Sequence, residues 1–172
     1  LTKHRVLKPS FFKKTALVSS ESFLQDDYSQ CNVLSFYLGD DSKDSSGSLK
    51  SAVRFDLMGK NCSSEIGSIS FLKGRASVKN DITTKHYSSN CNSCEIFKGV
   101  YDHESEGEFN SLVIVDRGGV NANTVQKNNN ILLSSQASIN SNPQLEIFTD
   151  DVKCAHGSTT GQLDANAVFY LR

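Results

Sequence analysis

Short stretches of apolar residues, separated by turn-forming residues, follow one another along the chain and predict β-strands. The clearest stretch alternates, with Val53, Phe55 and Leu57 on one face and Arg54 and Asp56 on the other. Glycine, asparagine and aspartate between the stretches are typical of turns. The pattern predicts strands over residues 33–38, 52–57, 66–72, 76–83, 95–101, 108–116, 130–135 and 144–153.

The spacing of these strands restricts the architecture to all-β folds. Their centres lie about 10 to 20 residues apart, and no helical pattern between them is long enough for a crossover, which excludes a doubly wound α/β fold. A sandwich, a barrel or a solenoid remains, because we find no strict repeat that would choose among them. The polar residues 41–51 predict a surface loop. The asparagines at 128–130 predict either a ladder inside a solenoid or a turn.

Only the end of the chain has a helical pattern, behind Asp164 as a candidate N-cap. Four apolar residues recur there with helical spacing, namely Leu163, Ala167, Tyr170 and Leu171. We therefore divide the chain into a β core over residues 1–160 and the start of a helical region over residues 161–172. Because the chain begins with Leu1 and stops inside this pattern, we expect it to be part of a longer protein.

Composition and charge exclude several functions. The chain has 26 serines and 14 asparagines, which favour turns and polar strand faces over helices. Ten phenylalanines argue against a disordered chain. The net charge of −1 argues against a general nucleic-acid binder, and no apolar run approaches the roughly 20 residues that span a bilayer. We therefore expect neither nucleic acid nor a membrane as a partner.

The cysteines do not form a recognisable disulfide framework, because their number is odd and their spacing irregular. They are Cys31, Cys62, Cys91, Cys94 and Cys154. This usage favours a reducing compartment such as the cytoplasm. Cys91 and Cys94 form one CxxC, but a zinc site needs two more ligands, and neither His86 nor His103 completes a known spacing.

Cys154 and His156 are the most informative candidates for chemistry. In an extended segment, residues i and i+2 project from the same face, so the thiol and the imidazole would lie side by side. Such a pair can bind a soft metal or an iron–sulfur cluster. It can also activate a cysteine nucleophile. A third interpretation is structural, with a buried cysteine and a hydrogen-bonded histidine.

The end of the chain, QLEIFTDDVKCAHGSTTGQLDANAVFYLR, resembles the SufB/SufD family of iron–sulfur cluster assembly proteins, and most closely its SufD branch. The matching features are the CxHG around Cys154 and His156, the preceding DDVK and the following TxGxLD. Upstream, Lys98-Gly99-Val100 and Glu108-Phe109-Asn110 match family elements in order, as does the segment from 126 to 133. The resemblance covers at least residues 83–172. The chain departs from the usual pattern at a few positions, such as Ala155 where serine is common.

The resemblance implies a right-handed parallel β-helix, a solenoid of a single chain. It also implies a non-catalytic scaffold subunit that works with a SufB-like paralogue and a SufC-like ABC ATPase. Cys154 and His156 would then bind iron or a nascent iron–sulfur cluster at the junction with the paralogue. We expect no cofactor in the isolated chain, a cytoplasmic location in bacteria and a plastid location in a eukaryote.

Two further expectations concern assembly. Most of the helical region through which this family binds its ATPase would lie beyond Arg172. The last coil of a β-helix leaves an unpaired edge, so the isolated chain is predicted to form a homodimer through residues 144–156.

Two other functions fit a β-helix. One is a carbohydrate-active enzyme, which needs converging carboxylates, whereas the adjacent Asp150 and Asp151 would point to opposite faces of a strand. The other is a purely structural solenoid. The CxHG block favours the assembly scaffold over both.

Alternation and the resemblance together predict a set of core residues. They are Val53, Phe55, Leu57, Ile69, Phe71, Val113, Val115, Leu132, Leu145 and Ile147.

Overall fold

The computed structural model of the chain describes residues 2–7, 16–39 and 47–162, and these residues form strands and turns without a helix. The strands are β1 (Thr2–Leu7), β2 (Ala16–Gln25), β3 (Gln30–Gly39), β4 (Ser48–Leu57), β5 (Ser63–Leu72), β6 (Ser77–His86), β7 (Asn92–Tyr101), β8 (Glu106–Val115), β9 (Ala122–Leu132), β10 (Ser138–Ile147) and β11 (Val152–Gln162).

The strands form two parallel sheets that the chain visits alternately. One sheet has the order β1-β3-β5-β7-β9-β11, and the other has the order β10-β8-β6-β4-β2. Each strand from β1 to β9 pairs in parallel with the strand two positions further along the chain; Ser63 of β5, for example, lies opposite Asn92 of β7. The chain is therefore a β-solenoid of about five turns. The predicted parallel β-helix is confirmed, and a sandwich of antiparallel sheets is excluded.

A repeat that is weak in the sequence is clear in the backbone. Tyr28, Asn61, Asn90 and Asn121 all have φ between 57° and 60°, and each lies in the turn just before an odd-numbered strand. Asparagine tolerates this left-handed conformation better than most residues. The repeat escaped the sequence analysis because its spacing is irregular and its first member is a tyrosine.

Replacing Tyr28 with asparagine is expected to stabilise the fold. Tyr28 is an exposed side chain with φ of 60°, whereas the equivalent turns carry asparagine. Removing this local strain should raise the free energy of unfolding by about 1 kcal/mol, and the melting temperature by about 2–4 °C. Thermal denaturation of Tyr28→Asn beside the wild type measures the effect, and a lower melting temperature would contradict it.

The last two predicted strands are wrong in their bounds. The predicted strand over 130–135 overlaps the longer β9 only at residues 130–132, and the one over 144–153 spans the end of β10, a turn and the start of β11. The asparagines at 128–130 lie in β9, not in a turn, and Asn128 and Asn130 are buried. Residues 48–51 belong to β4 rather than to a loop. These segments were not predicted as strands because they are rich in polar residues. The interior of the solenoid accepts such residues, as it does Asn128 and Asn130.

The predicted helical region over residues 161–172 lies almost entirely outside the described residues. Only Gly161 and Gln162 are described, and they belong to β11.

The predicted core is half right. Val53, Phe55, Leu57, Val113 and Val115 are buried. Three other predicted core residues, Ile69, Leu132 and Leu145, are only half-buried.

Phe71 and Ile147 were wrongly predicted to be buried. Phe71 is 49% exposed because β5 turns Ser68 and Ser70 inward instead. Ile147 is 42% exposed although its register partner Val115 is buried, because β10 is the last strand of its sheet among the described residues.

Candidate functional site

Cys154 and His156 lie on the inward side of β11, the last strand of its sheet among the described residues. Their register partners in β9 are Thr124 and Gln126, which are both fully buried. Cys154 is half-buried and packs against the apolar cluster around Val113, whereas His156 is exposed. The segment is extended in β11, so the condition set in the sequence analysis is met and the two side chains share one face.

Burial raises the pKa of the Cys154 thiol, which disfavours the thiolate that a nucleophile and a metal ligand both require. Over residues 2–7, 16–39 and 47–162, no group of three or more His, Cys, Asp or Glu side chains could hold a metal ion. Cys154 and His156 are therefore not part of such a group among the described residues.

The interior behind the pair is polar. In the register of the sheet, Glu95 of β7 lies opposite Gln126 of β9, and Gln126 lies opposite His156 of β11. A second row runs beside it from Ser93 through Thr124 to Cys154. Both rows point into the solenoid, and both end at the candidate ligands.

Glu95 is the centre of the first row. It is 1% exposed and accepts hydrogen bonds from Thr84 Oγ1 at 2.8 Å and from the hydroxyl of Ser111. Gln126 Nε2 donates to Ser111 Oγ at 2.6 Å and to Glu95 Oε2 at 3.4 Å. Burial raises the pKa of the Glu95 carboxyl, and its three hydrogen bonds oppose that rise.

His86 contacts Ser93, the first residue of the second row. Its Nε2 lies 2.9 Å from Ser93 Oγ, which donates to Thr124 Oγ1 at 2.7 Å. The imidazole is fully buried, and this burial lowers the pKa of His86 to about 4. Its Nδ1 has no hydrogen-bond partner among the described residues. His86 is therefore neutral at physiological pH.

Acid should destabilise the protein through His86. The unfolded chain takes up a proton at this histidine below about pH 6.5, but the folded chain does so only near pH 4. The contribution of neutral His86 to the free energy of unfolding is therefore fully present above pH 6.5. It is lost as the pH drops toward 4, by up to about 3 kcal/mol.

Urea unfolding at pH 7.5 and pH 4.5 measures this loss. His86→Gln should reduce this loss, and His103→Asn, at an exposed turn, should keep it. An equal dependence in His86→Gln would refute the role of His86.

Cys91 and Cys94 of the CxxC do not belong to a metal site among the described residues. Cys91 is buried in a turn, where its thiol donates to the Gly59 carbonyl at 3.2 Å, and burial raises its pKa to about 11. Cys94 is half-buried on the opposite, outer side of β7. All five cysteines are free. Asp150 and Asp151 are both exposed in the turn before β11, so they do not form a carboxylate pair inside a cleft.

Comparison with known proteins decides the family. Residues 13–172 match the family described as "SUF system FeS cluster assembly, SufBD core domain". The chain belongs to the SufBD core family. The predicted resemblance is thereby confirmed, and the β-solenoid described above is the fold of this SufBD core domain.

Individual relatives point to the same family. The chain is 34% identical over 121 residues to the iron–sulfur cluster assembly protein SufD of Escherichia coli, which covers 67% of the chain and 27% of that protein. It is 42% identical over 78 residues to an iron–sulfur cluster assembly SufBD family protein of Synechocystis, covering 45% of the chain and 17% of the relative. SufD of Bacillus subtilis is 28% identical over 100 residues, or 57% of the chain and 23% of that protein. The matched part of the chain thus spans only between 17% and 27% of the length of these relatives.

The sequence analysis missed the polar interior of this SufBD core domain. Glu95 and His86 carried no motif, and Gln126 entered only as part of the matching segment 126–133. Polar residues at alternate strand positions look like a solvent-facing side. A signal was available in the sequence, because strands such as β7 carry apolar residues on both faces. The face with the polar residues was therefore not necessarily the exposed one.

The described part of the chain contains no helix that is long and apolar enough to cross a membrane.

Proposed function

We propose that this SufBD core domain is part of a SufD-like scaffold subunit that helps to assemble iron–sulfur clusters. The observation that carries the proposal is the position of Cys154 and His156 together on the inward side of β11, the last strand of its sheet among the described residues. Membership of the SufBD core family supports the same function. Thiolate and imidazole are both ligands of iron–sulfur clusters.

Two ligands from this chain are fewer than a cluster needs, since clusters are commonly held by four protein ligands. The remaining ligands would come from a SufB-like paralogue that meets this chain at the same end. Iron and the nascent cluster are cargo in this arrangement. Burial raises the pKa of the Cys154 thiol, so iron binding must displace its proton. Arriving iron would therefore favour release of that proton.

The edge formed by β10 and β11 supports pairing with the paralogue. Each is the last strand of its sheet among the described residues, so each has one side without a strand neighbour there. An added strand could continue the hydrogen-bond ladder. Without the paralogue, the same edge would pair two copies of the chain at high concentration.

The role proposed for this subunit is non-catalytic, and a SufC-like ABC ATPase would supply the energy. The compartment would be the bacterial cytoplasm, or a plastid in a eukaryote. A carbohydrate-active enzyme is less favoured, because the exposed Asp150 and Asp151 lie in a turn.

Reconstitution of the intact protein with its partners tests the function. The protein would be co-expressed with the SufB-like paralogue and the ABC ATPase, purified without oxygen and supplied with iron and sulfide. A purified three-protein complex that develops cluster absorption and a Mössbauer signal is expected. Failure of the three proteins to co-purify would refute the pairing. A complex that forms but never gains a cluster would refute the assembly role.

A further inference from the structure

The buried amide of Gln126 lies between Glu95 and the terminal coil. Its side chain is 1% exposed, and both hydrogens of its Nε2 are directed at Ser111 Oγ and Glu95 Oε2. Because a carboxylate only accepts hydrogen bonds, Glu95 dictates which end of the amide faces it. The Nε2 end turns toward Glu95, and the Oε1 end is left for another donor.

That acceptor has no partner. Gln126 Oε1 is buried without a hydrogen bond among the described residues. Leaving a buried polar atom unpaired costs about 1–3 kcal/mol. The next inward residue along the same row is His156, whose ring carries the N–H donor that this oxygen lacks.

We propose that Gln126, oriented by Glu95, is a positioning residue that accepts a hydrogen bond from one ring nitrogen of His156. The inference rests on the proposed function, in which His156 is an iron ligand. The hydrogen bond holds one ring nitrogen protonated, so the other nitrogen keeps its lone pair free for iron. Histidines that bind metals usually donate their second ring N–H to such a partner, which fixes the tautomer and the ring orientation.

The row of Glu95, Ser111 and Gln126 thus serves as an outer shell for a site at the end of the solenoid. Because buried side chains have few alternative positions, the burial of these three polar side chains holds each of them in one place. Ser111 contributes by accepting from Gln126 and donating to Glu95, which links the two residues a second time.

The tautomer of His156 in the metal-free, intact protein tests the proposal. Nitrogen NMR of histidine-labelled protein at one fixed neutral pH distinguishes the two tautomers, and His156→Ala assigns the signal. The wild type should show one dominant tautomer, and Gln126→Leu should show a mixture. In the complex, Gln126→Leu should also weaken iron binding by about 10- to 100-fold.

Two variants guard against a purely structural effect. Asn128→Leu removes another buried inward amide of β9, one that lies opposite Ser158, so it should leave the His156 tautomer unchanged. Glu95→Gln keeps the side-chain size but lets the Gln126 amide turn over, so it should mix the tautomers even if Gln126→Leu fails to fold.

A tautomer mixture in the wild type, or no change in Glu95→Gln and Gln126→Leu, would overturn the inference. Because the NMR measurement needs no iron, this result is separate from failure of the proposed function. If His156 proves dispensable for clusters while its tautomer still depends on Gln126, the positioning stands and the iron role falls.

Discussion

Replacing His156 with alanine is expected to abolish cluster formation in the reconstituted complex while leaving the fold intact. The imidazole is exposed on β11, the last strand of its sheet among the described residues, so its loss creates no cavity in the core. The proposed site takes two ligands from this chain, and the substitution removes one of them. The measurement is cluster yield per folded complex, with the melting temperature recorded on the same samples.

The matched controls separate ligation from general damage. His103→Asn removes another exposed histidine, from a turn with φ of 57° that asparagine tolerates, and should leave the yield unchanged. Cys94→Ser on the outer side of β7 should be silent as well. Cys154→Ser is expected to lower the yield less than His156→Ala. If the yield of His156→Ala matches that of the wild type, His156 is not part of the site.

Replacing Gly59 with alanine should cause the largest loss of stability of any single change predicted in this protein. The added Cβ would lie 2.0 Å from the backbone nitrogen of Asp27 and 2.3 Å from the carbonyl carbon of Asp26. These are backbone atoms of the preceding coil, and they cannot move aside as a side chain could. The Gly59 N–H donates to the Gln25 carbonyl at 2.9 Å, so the same shift would break a link between coils.

We expect Gly59→Ala to lower the free energy of unfolding by about 3 kcal/mol or more, and the melting temperature by about 10 °C. Gly161→Ala is the matched control, because the nearest atom to its added Cβ is 4.0 Å away. That variant should be neutral or slightly stabilising. Urea and thermal unfolding of both variants measure the contrast. Equal stability of Gly59→Ala and Gly161→Ala would show that the coils can separate at this turn.

The candidate ligands could be found from the sequence because their geometry is local. Once the segment is extended, Cys154 and His156 must share a face, and β11 shows that they do. The CxHG block then identified the family, which the match over residues 13–172 confirms. The shell behind the ligands is not local, since Gln126 reaches Ser111 and Glu95 across 15 and 31 residues of chain. No short-range pattern encodes such contacts.

The sequence by itself determined that the chain is all-β, and that Cys154 and His156 share a face once their segment is extended. Alternation also identified part of the core, such as Phe55 and Val113. Only the tertiary structure decided which face of each strand is inside. Alternation separates two faces but does not rank them, and in β5 the serines face inward while Phe71 faces solvent. The reason is that neighbouring coils supply hydrogen-bond partners for many interior polar groups, as they do for Glu95, which makes their burial affordable.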